Sequence, residues 1–135
     1  WDANAHVELI TRLYGWQASP IPFERTYRRM SNLDDRYENG AHDYLKYIKF
    51  GYGRATDHAC KDIRNGYMTR DKGIEMVRQY DAVRSSDLYY WLDYVGRDEP
   101  WFDHIADGFR SPKCWVRDDD RQWHKRNLWD RSPNP

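Results

Sequence analysis

Leu, Ile, Val and Phe are scarce in this chain, making up only 22 of its 135 residues. So low a share usually accompanies disorder. The other companion of disorder, a strong net charge, is missing too: 22 Lys and Arg balance 22 Asp and Glu. Without a basic excess or a basic stripe there is no footprint for nucleic acid. No run approaches the roughly 18 apolar residues of a membrane span, and no basic leader with an apolar stretch marks a signal peptide. Only two cysteines occur, Cys60 and Cys114, far apart and in no CxxC. This points to a reduced, cytoplasmic setting rather than a disulfide scaffold.

Aromatics fill the gap. Seven Trp and 11 Tyr can bury large areas while keeping a polar handle at the ring edge. A thin core built from aromatics, with wide polar faces, is expected. Some aromatic faces should be surfaces that another domain covers. The chain opens at Trp1, directly on a helical pattern, and so reads as part of a longer sequence.

Val7, Ile10, Leu13 and Tyr14 form a stripe over residues 3–14, with Asp2 as cap and Gly15 as stop. Residues 15–32, with Pro20 and Pro22, show no sustained period and read as a long connection, a type often functional or domain-crossing. A second helix is expected over 41–50, with Tyr44, Leu45 and Ile48 on one face. A third should run from Thr56 to Asn65, with Ala59 and Ile63 inward. Thr69 caps a fourth, which has Ile74, Val77 and Tyr80 as its stripe. A fifth follows Ser85 or Ser86 and ends at Gly96, with Leu88, Trp91, Leu92 and Val95 on one side. Asp98 and Pro100 open a sixth, burying Phe102, Ile105, Ala106 and Phe109. Residues 114–116 and 122–124, around an acidic turn at Asp118 to Asp120, suggest a hairpin that needs support from the helices. The fold class is therefore all-α, about six short helices in an irregular bundle, with a small C-terminal β-hairpin. Residues 1–126 form the helical domain and 127–135 a disordered tail.

Chemistry concentrates in KFGYGRATDHACKDIRNGYMTR, Lys49 to Arg70. Glycines flanking Tyr52 allow a sharp turn or a close approach. A helix starting at Thr56 offers free amides and a positive end to an anion, and Arg54 can fork onto a phosphate or carboxylate. The plainer reading makes GYG a helix break and Asp57 and Asp62 ordinary ion-pair residues. His58 and Asp62, at i and i+4, are placed to touch. Cys60 and His58 point to different faces, so Cys60 reads as a small core residue rather than a nucleophile. The five histidines stand at no metal spacing. Tyr89, Tyr90 and Trp91 can stack a ring but fit core positions better. Asp118 to Asp120 lacks the glycine and distal glutamate of a calcium loop. No P-loop, dinucleotide fingerprint or G-x-S-x-G occurs.

From Ile48 through KFGYGRATDHA, Asp62-Ile63-Arg64-Asn65-Gly66, Met68-Thr69-Arg70 and Tyr80-Asp81, and again at Phe109-Arg110-Ser111-Pro112, the chain resembles the C-terminal part of the N-acetyl sugar amidotransferases of bacterial surface-polysaccharide biosynthesis. The resemblance runs from Trp1 to about Arg126. It implies an upstream ATP-pyrophosphatase domain with an SGGKDS-type loop, and ATP with magnesium as that domain's requirement. It also implies a glutaminase partner supplying ammonia, and a nucleotide-linked N-acetyl sugar whose acetamido group becomes acetamidino on the way to lipopolysaccharide O-antigen. This chain departs from the pattern in having no SGGKDS-like loop, so it is not expected to be active alone. The match and the anion-site argument together nominate Lys49, Gly53, Arg54, Thr56, Asp57, His58, Arg64 and Arg70 for substrate or phosphate contact. No catalytic residue and no metal ligand is assigned. Two other roles stay open. A non-catalytic module docking a glutaminase or other subunit would show a flat aromatic patch. A scaffold would bury Gly51 to Thr56 with their polar groups internally satisfied.

Overall fold

A computed structural model describes residues 2–30, 39–127 and 129. The described residues form six helices and one antiparallel hairpin: α1 (Ala3–Tyr14), α2 (Asn39–Phe50), α3 (Arg54–Arg64), α4 (Arg70–Tyr80), α5 (Asp87–Val95), α6 (Glu99–Asp107), β1 (Trp115–Arg117) and β2 (Trp123–Lys125). The mostly helical class and the C-terminal hairpin agree with the expectation from sequence. Most of the expected tail, 128 and 130–135, lies outside the described residues, as do positions 31 and 32 of the long connection.

Local chemistry sets the helix ends. Asp2 accepts from the backbone N–H of Asn4 and Ala5, Thr69 from Lys72, and Asp98 from Trp101, each satisfying donors that a helix start leaves over. Gly15 and Gly96 close α1 and α5 in the left-handed conformation.

The core is as thin as the composition requires. Ala41 and Ile48 of α2 meet Leu88 and Leu92 of α5 and Phe102 and Ala106 of α6, with Tyr44, Leu45 and Trp91 packed at the margin. Tyr44 stacks on Phe102 at 6.2 Å, and Trp91 meets Phe102 edge-on at the same separation. A second contact joins α3 to α4, where Ala55, Ala59, Met76 and Val77 are buried. There α4 buries Val77 as expected, together with Gly73 and Met76, while Ile74 and Tyr80 are only half-buried. Gly73 permits this, since a Cβ on it would stand 2.8 Å from Ile63 Cδ1 and 3.5 Å from Ala59 Cβ.

Several apolar stripes do not face this core. No residue of α1 is buried, and Leu9, Leu13 and Tyr14 are exposed. On α6, Ile105 lies open, and so does Phe109 just beyond it. Val95 of α5 is also exposed, and Tyr94 is 89% exposed. With so few aliphatic residues, the core closes on one side of each short helix and leaves the rest of its apolar arc uncovered. Cys60, expected inside, is also exposed on α3.

The hairpin pairs Trp115 with Lys125, Val116 with His124 and Arg117 with Trp123. It gains its support from Trp115, which is buried and meets Tyr47 of α2 edge-on at 5.3 Å, with the Arg110 guanidinium 4.4 Å above its ring. Cys114 also docks the hairpin to the α2 end, through Sγ and the Phe50 carbonyl at 3.4 Å.

Candidate functional site

The Lys49–Arg70 segment forms the corner between α2 and α3. Gly51, at φ +75°, takes a conformation that a side chain disfavours, and a Cβ there would also come within 2.9 Å of Cys114 Cβ. Gly53 is constrained by space instead: a Cβ would lie 2.7 Å from Asp81 Oδ1 and 3.1 Å from Arg25 Nη2. Helix α3 begins at Arg54, two residues before the expected start, and has no side-chain cap of its own at Gly53.

An anion does sit at this helix start, and the chain itself supplies it. The Asp81 carboxylate, from just beyond α4, accepts from Gly53 N–H at 2.9 Å, Thr56 N–H at 3.2 Å and Thr56 Oγ1 at 2.5 Å. Asp81 is 1% exposed. Its burial is tolerable because three donors and the positive end of α3 meet it. Arg25 closes the other side, donating to the carbonyls of Asp81, Val83 and Asp43. Its guanidinium lies 5.2 Å from the Tyr44 ring centroid and 5.7 Å from that of Tyr47. Burial pulls its pKa below the usual arginine value, with Asp81 and Asp43 opposing that shift.

Each nominated residue has a definite place. Arg54 forks onto Asp43, with Nε and Nη2 both donating, the latter at 3.0 Å. Thr56 holds Asp81. Asp57 pairs with Lys46, whose ammonium also lies 4.7 Å from the Tyr52 ring centroid. His58 is buried, with Nδ1 2.6 Å from Thr26 Oγ1 rather than against Asp62. Burial, then the charges of Arg28 and Arg54, push its pKa down to about 3, so it is neutral at ordinary pH. Asp62 instead takes Arg28 and Tyr27, with Asn4 Nδ2 of α1 at 3.4 Å. Lys49, Arg64 and Arg70 are exposed, and Lys49 Nζ stands over Phe50 and Phe109. The structure thus gathers Gly53, Arg54, Thr56, Asp57 and His58 into one bonded corner and leaves the other three at the surface.

The residues that sequence reasoning missed lie in the 15–30 connection. Glu24, Arg25, Thr26, Tyr27 and Arg28 each bond to a helix or helix end distant in sequence. Glu24 accepts from Ser85 Oγ and Ser86 N–H at 2.8 Å and from Ser86 Oγ at 2.6 Å. The ERTYRR run at 24–29 was the available signal: charged residues just after Pro20 and Pro22, with no helical period to explain them.

Among the described residues, no group of three or more His, Cys, Asp or Glu is placed to hold a metal. Nor, among the described residues, is any helix long and apolar enough to cross a membrane. A cavity of about 320 Å³ opens beside the corner, between α2, the end of α4 and β2.

The fold and this corner define a small helical domain whose polar interior is a chain of buried ion pairs and capped helix starts. The family model described as "LPS biosynthesis protein WbpG-like, C-terminal domain" matches residues 24–129, and the chain belongs to that family. It is accordingly a C-terminal domain of the lipopolysaccharide biosynthesis proteins, in agreement with the motif resemblance. No curated protein matches the chain.

Proposed function

We propose that this domain is the C-terminal part of an ATP-dependent amidotransferase that converts an acetamido group of an N-acetyl sugar to an acetamidino group during O-antigen synthesis in the cytoplasm. The KFGYGRATDHA run carries the reading, and membership in a lipopolysaccharide biosynthesis family supports it. The balanced reaction consumes the sugar amide, ammonia and ATP and yields the amidine, AMP and pyrophosphate. The amide oxygen leaves on AMP. The residues of this corner do not fit an ATP cradle, because the amides at the start of α3 already hold Asp81. On this reading ATP and its magnesium belong to an upstream pyrophosphatase domain.

Within that enzyme the corner acts as a frame. Arg54, Thr56, Asp57 and His58 lock α2, α3 and the 24–28 strap together, and exposed Lys49, Arg64 and Arg70 are left to meet a ligand or the neighbouring domain. Pyrophosphate release by the full-length protein should require both a nucleotide-linked N-acetyl sugar and ammonia. Arg54→Ala should lower it together with thermal stability, because Asp43 is left buried without its partner. Release that ignores the sugar would overturn the reading, and wild-type turnover in the variant would remove the corner from it.

Exposed Leu13, Tyr14, Tyr90 and Tyr94 favour a second reading, a non-catalytic module that docks a glutaminase or another subunit. Size-exclusion chromatography of the chain with the glutaminase decides this: a shared peak lost in Tyr94→Ser supports docking, and separate peaks reject it.

A further inference from the structure

Helix α1 is amphipathic, yet the rest of the domain leaves much of its apolar side open. Around the helix Leu9, Leu13, Ile10, Tyr14 and Val7 share one arc, and Thr11, Glu8 and Arg12 lie on the other. One edge of the apolar arc leans inward, where Val7 and Ile10 are half-buried. Leu9, Leu13 and Tyr14 are 43%, 56% and 81% exposed, and no residue of α1 is buried. The first turn is tied down: Asn4 Nδ2 lies 3.4 Å from Asp62 Oδ1, and the Tyr67 hydroxyl donates to Asp2 at 2.7 Å. Gly15, at φ +66°, then turns the chain, and Ile21 and Phe23 beyond it are also exposed.

Two independent boundaries fall at one residue. The family match begins at residue 24. Glu24 is also where, after α1, the side chains of the described residues begin to bond to distant helix ends, at Ser85 and Ser86. Helix α1 and residues 15–23 therefore lie outside the domain by both criteria. A helix of 12 residues is marginal in water without tertiary packing, so the open face of α1 needs an occupant. Glu8 and Arg12 lie off that face. An interface apolar and poor in charge at its centre is the kind that permanent neighbours share. A domain that precedes this C-terminal one in the same polypeptide is such a neighbour, and a short connection to it keeps the closure entropy small.

We propose that α1 is a docking helix for the preceding domain of the same polypeptide, laying Leu9, Leu13 and Tyr14 against an apolar surface there, with Ile21 and Phe23 extending the contact. The domain boundary then falls within residues 15–23, and α1 belongs to the interface. The inference rests on the reading that another domain precedes this one, and on none of that reading's chemistry.

Hydrogen–deuterium exchange read by mass spectrometry tests it. Amides of residues 7–14 should exchange at least tenfold more slowly in the full-length protein than in the 135-residue chain. Leu9→Ser and Leu13→Ser change side chains that the domain itself leaves exposed, so its own fold does not depend on them. Each should speed the exchange of α1 in the full-length protein about tenfold. Ile105→Ser, 44% exposed on α6, should leave α1 slow. Equal exchange of α1 in the two proteins, or an equal effect of Ile105→Ser, would overturn the proposal. Slow exchange in the 135-residue chain that rises with its concentration would give the face to a second copy, and slow exchange only on adding another subunit would give it to that subunit; either rejects the proposal. Turnover of the same full-length sample keeps the two readings separate. Amidine formation with a fast-exchanging α1 rejects the docking helix alone, whereas a slow α1 without amidine supports the docking helix and counts against the reaction.

Discussion

Asp81 joins three parts of the chain. Its carboxylate ties the end of α4 to the start of α3, and its carbonyl ties both to Arg25. Removing it leaves two backbone amides and a hydroxyl without an acceptor, and takes from Arg25 the opposing charge that acts on it most strongly. Breaking a buried charged arrangement from one side costs about 3–5 kcal/mol. Asp81→Ala should therefore lose stability on that order in urea denaturation, while Thr56→Val, which removes one donor, should lose about 1 kcal/mol. A loss in Asp81→Ala no larger than that of an exposed aspartate would show that the corner does not depend on it. His58 carries a pH signature. Its folded pKa of about 3 lies below the ordinary 6.5, so between these values the unfolded chain binds the extra proton. Its contribution is present in full above about pH 6.5 and is lost as the pH falls toward 3. The acid-side slope of the melting temperature should flatten in His58→Asn. An unchanged slope would mean that other groups set it.

At the scale of elements, α3 and α4 depend on a missing side chain. Gly73 lets the helices approach until Ile63 Cδ1 occupies the place of a Cβ. Gly73→Val should cost about 1–3 kcal/mol by overpacking, measured by thermal melting, whereas a gain in stability would show that the helices have room to part. The helix ends were the most legible part of the sequence, because Asp2, Gly15, Thr69, Gly96 and Asp98 act through their own neighbours. The inward faces were less so. Periodicity assigned Ile105, Phe109 and Val95 to the core, yet they lie at the surface. An apolar stripe records which face prefers burial, not whether the chain has enough partners to bury it. The start of α3 was misplaced at Thr56 because its cap is Asp81, 25 residues beyond Thr56. No local pattern announces such a cap.

The whole molecule is held by polar bridges as much as by its core. The 24–28 strap joins α2, α3 and the α4–α5 turn through Arg25, Thr26, Arg28 and Glu24. Two of these bridges end on the Lys49–Arg70 segment that carries the family resemblance, at His58 and Asp62. Sequence pointed to it through its density of charged residues and glycines, but could not show that its arginine and its helix start find partners inside the chain. Apolar residues on α1, α5 and α6 remain exposed, as the proposed place in a larger enzyme requires. The reaction proposed for that enzyme has a direct chemical signature: the nitrogen of ammonia must end in the sugar. The full-length protein should be incubated with ATP, a nucleotide-linked N-acetyl sugar and isotopically labelled ammonia, and the sugar then analysed by mass spectrometry. The account predicts one labelled nitrogen in the former acetamido group, formed together with AMP. A sugar recovered unchanged, or altered without the label, would contradict it.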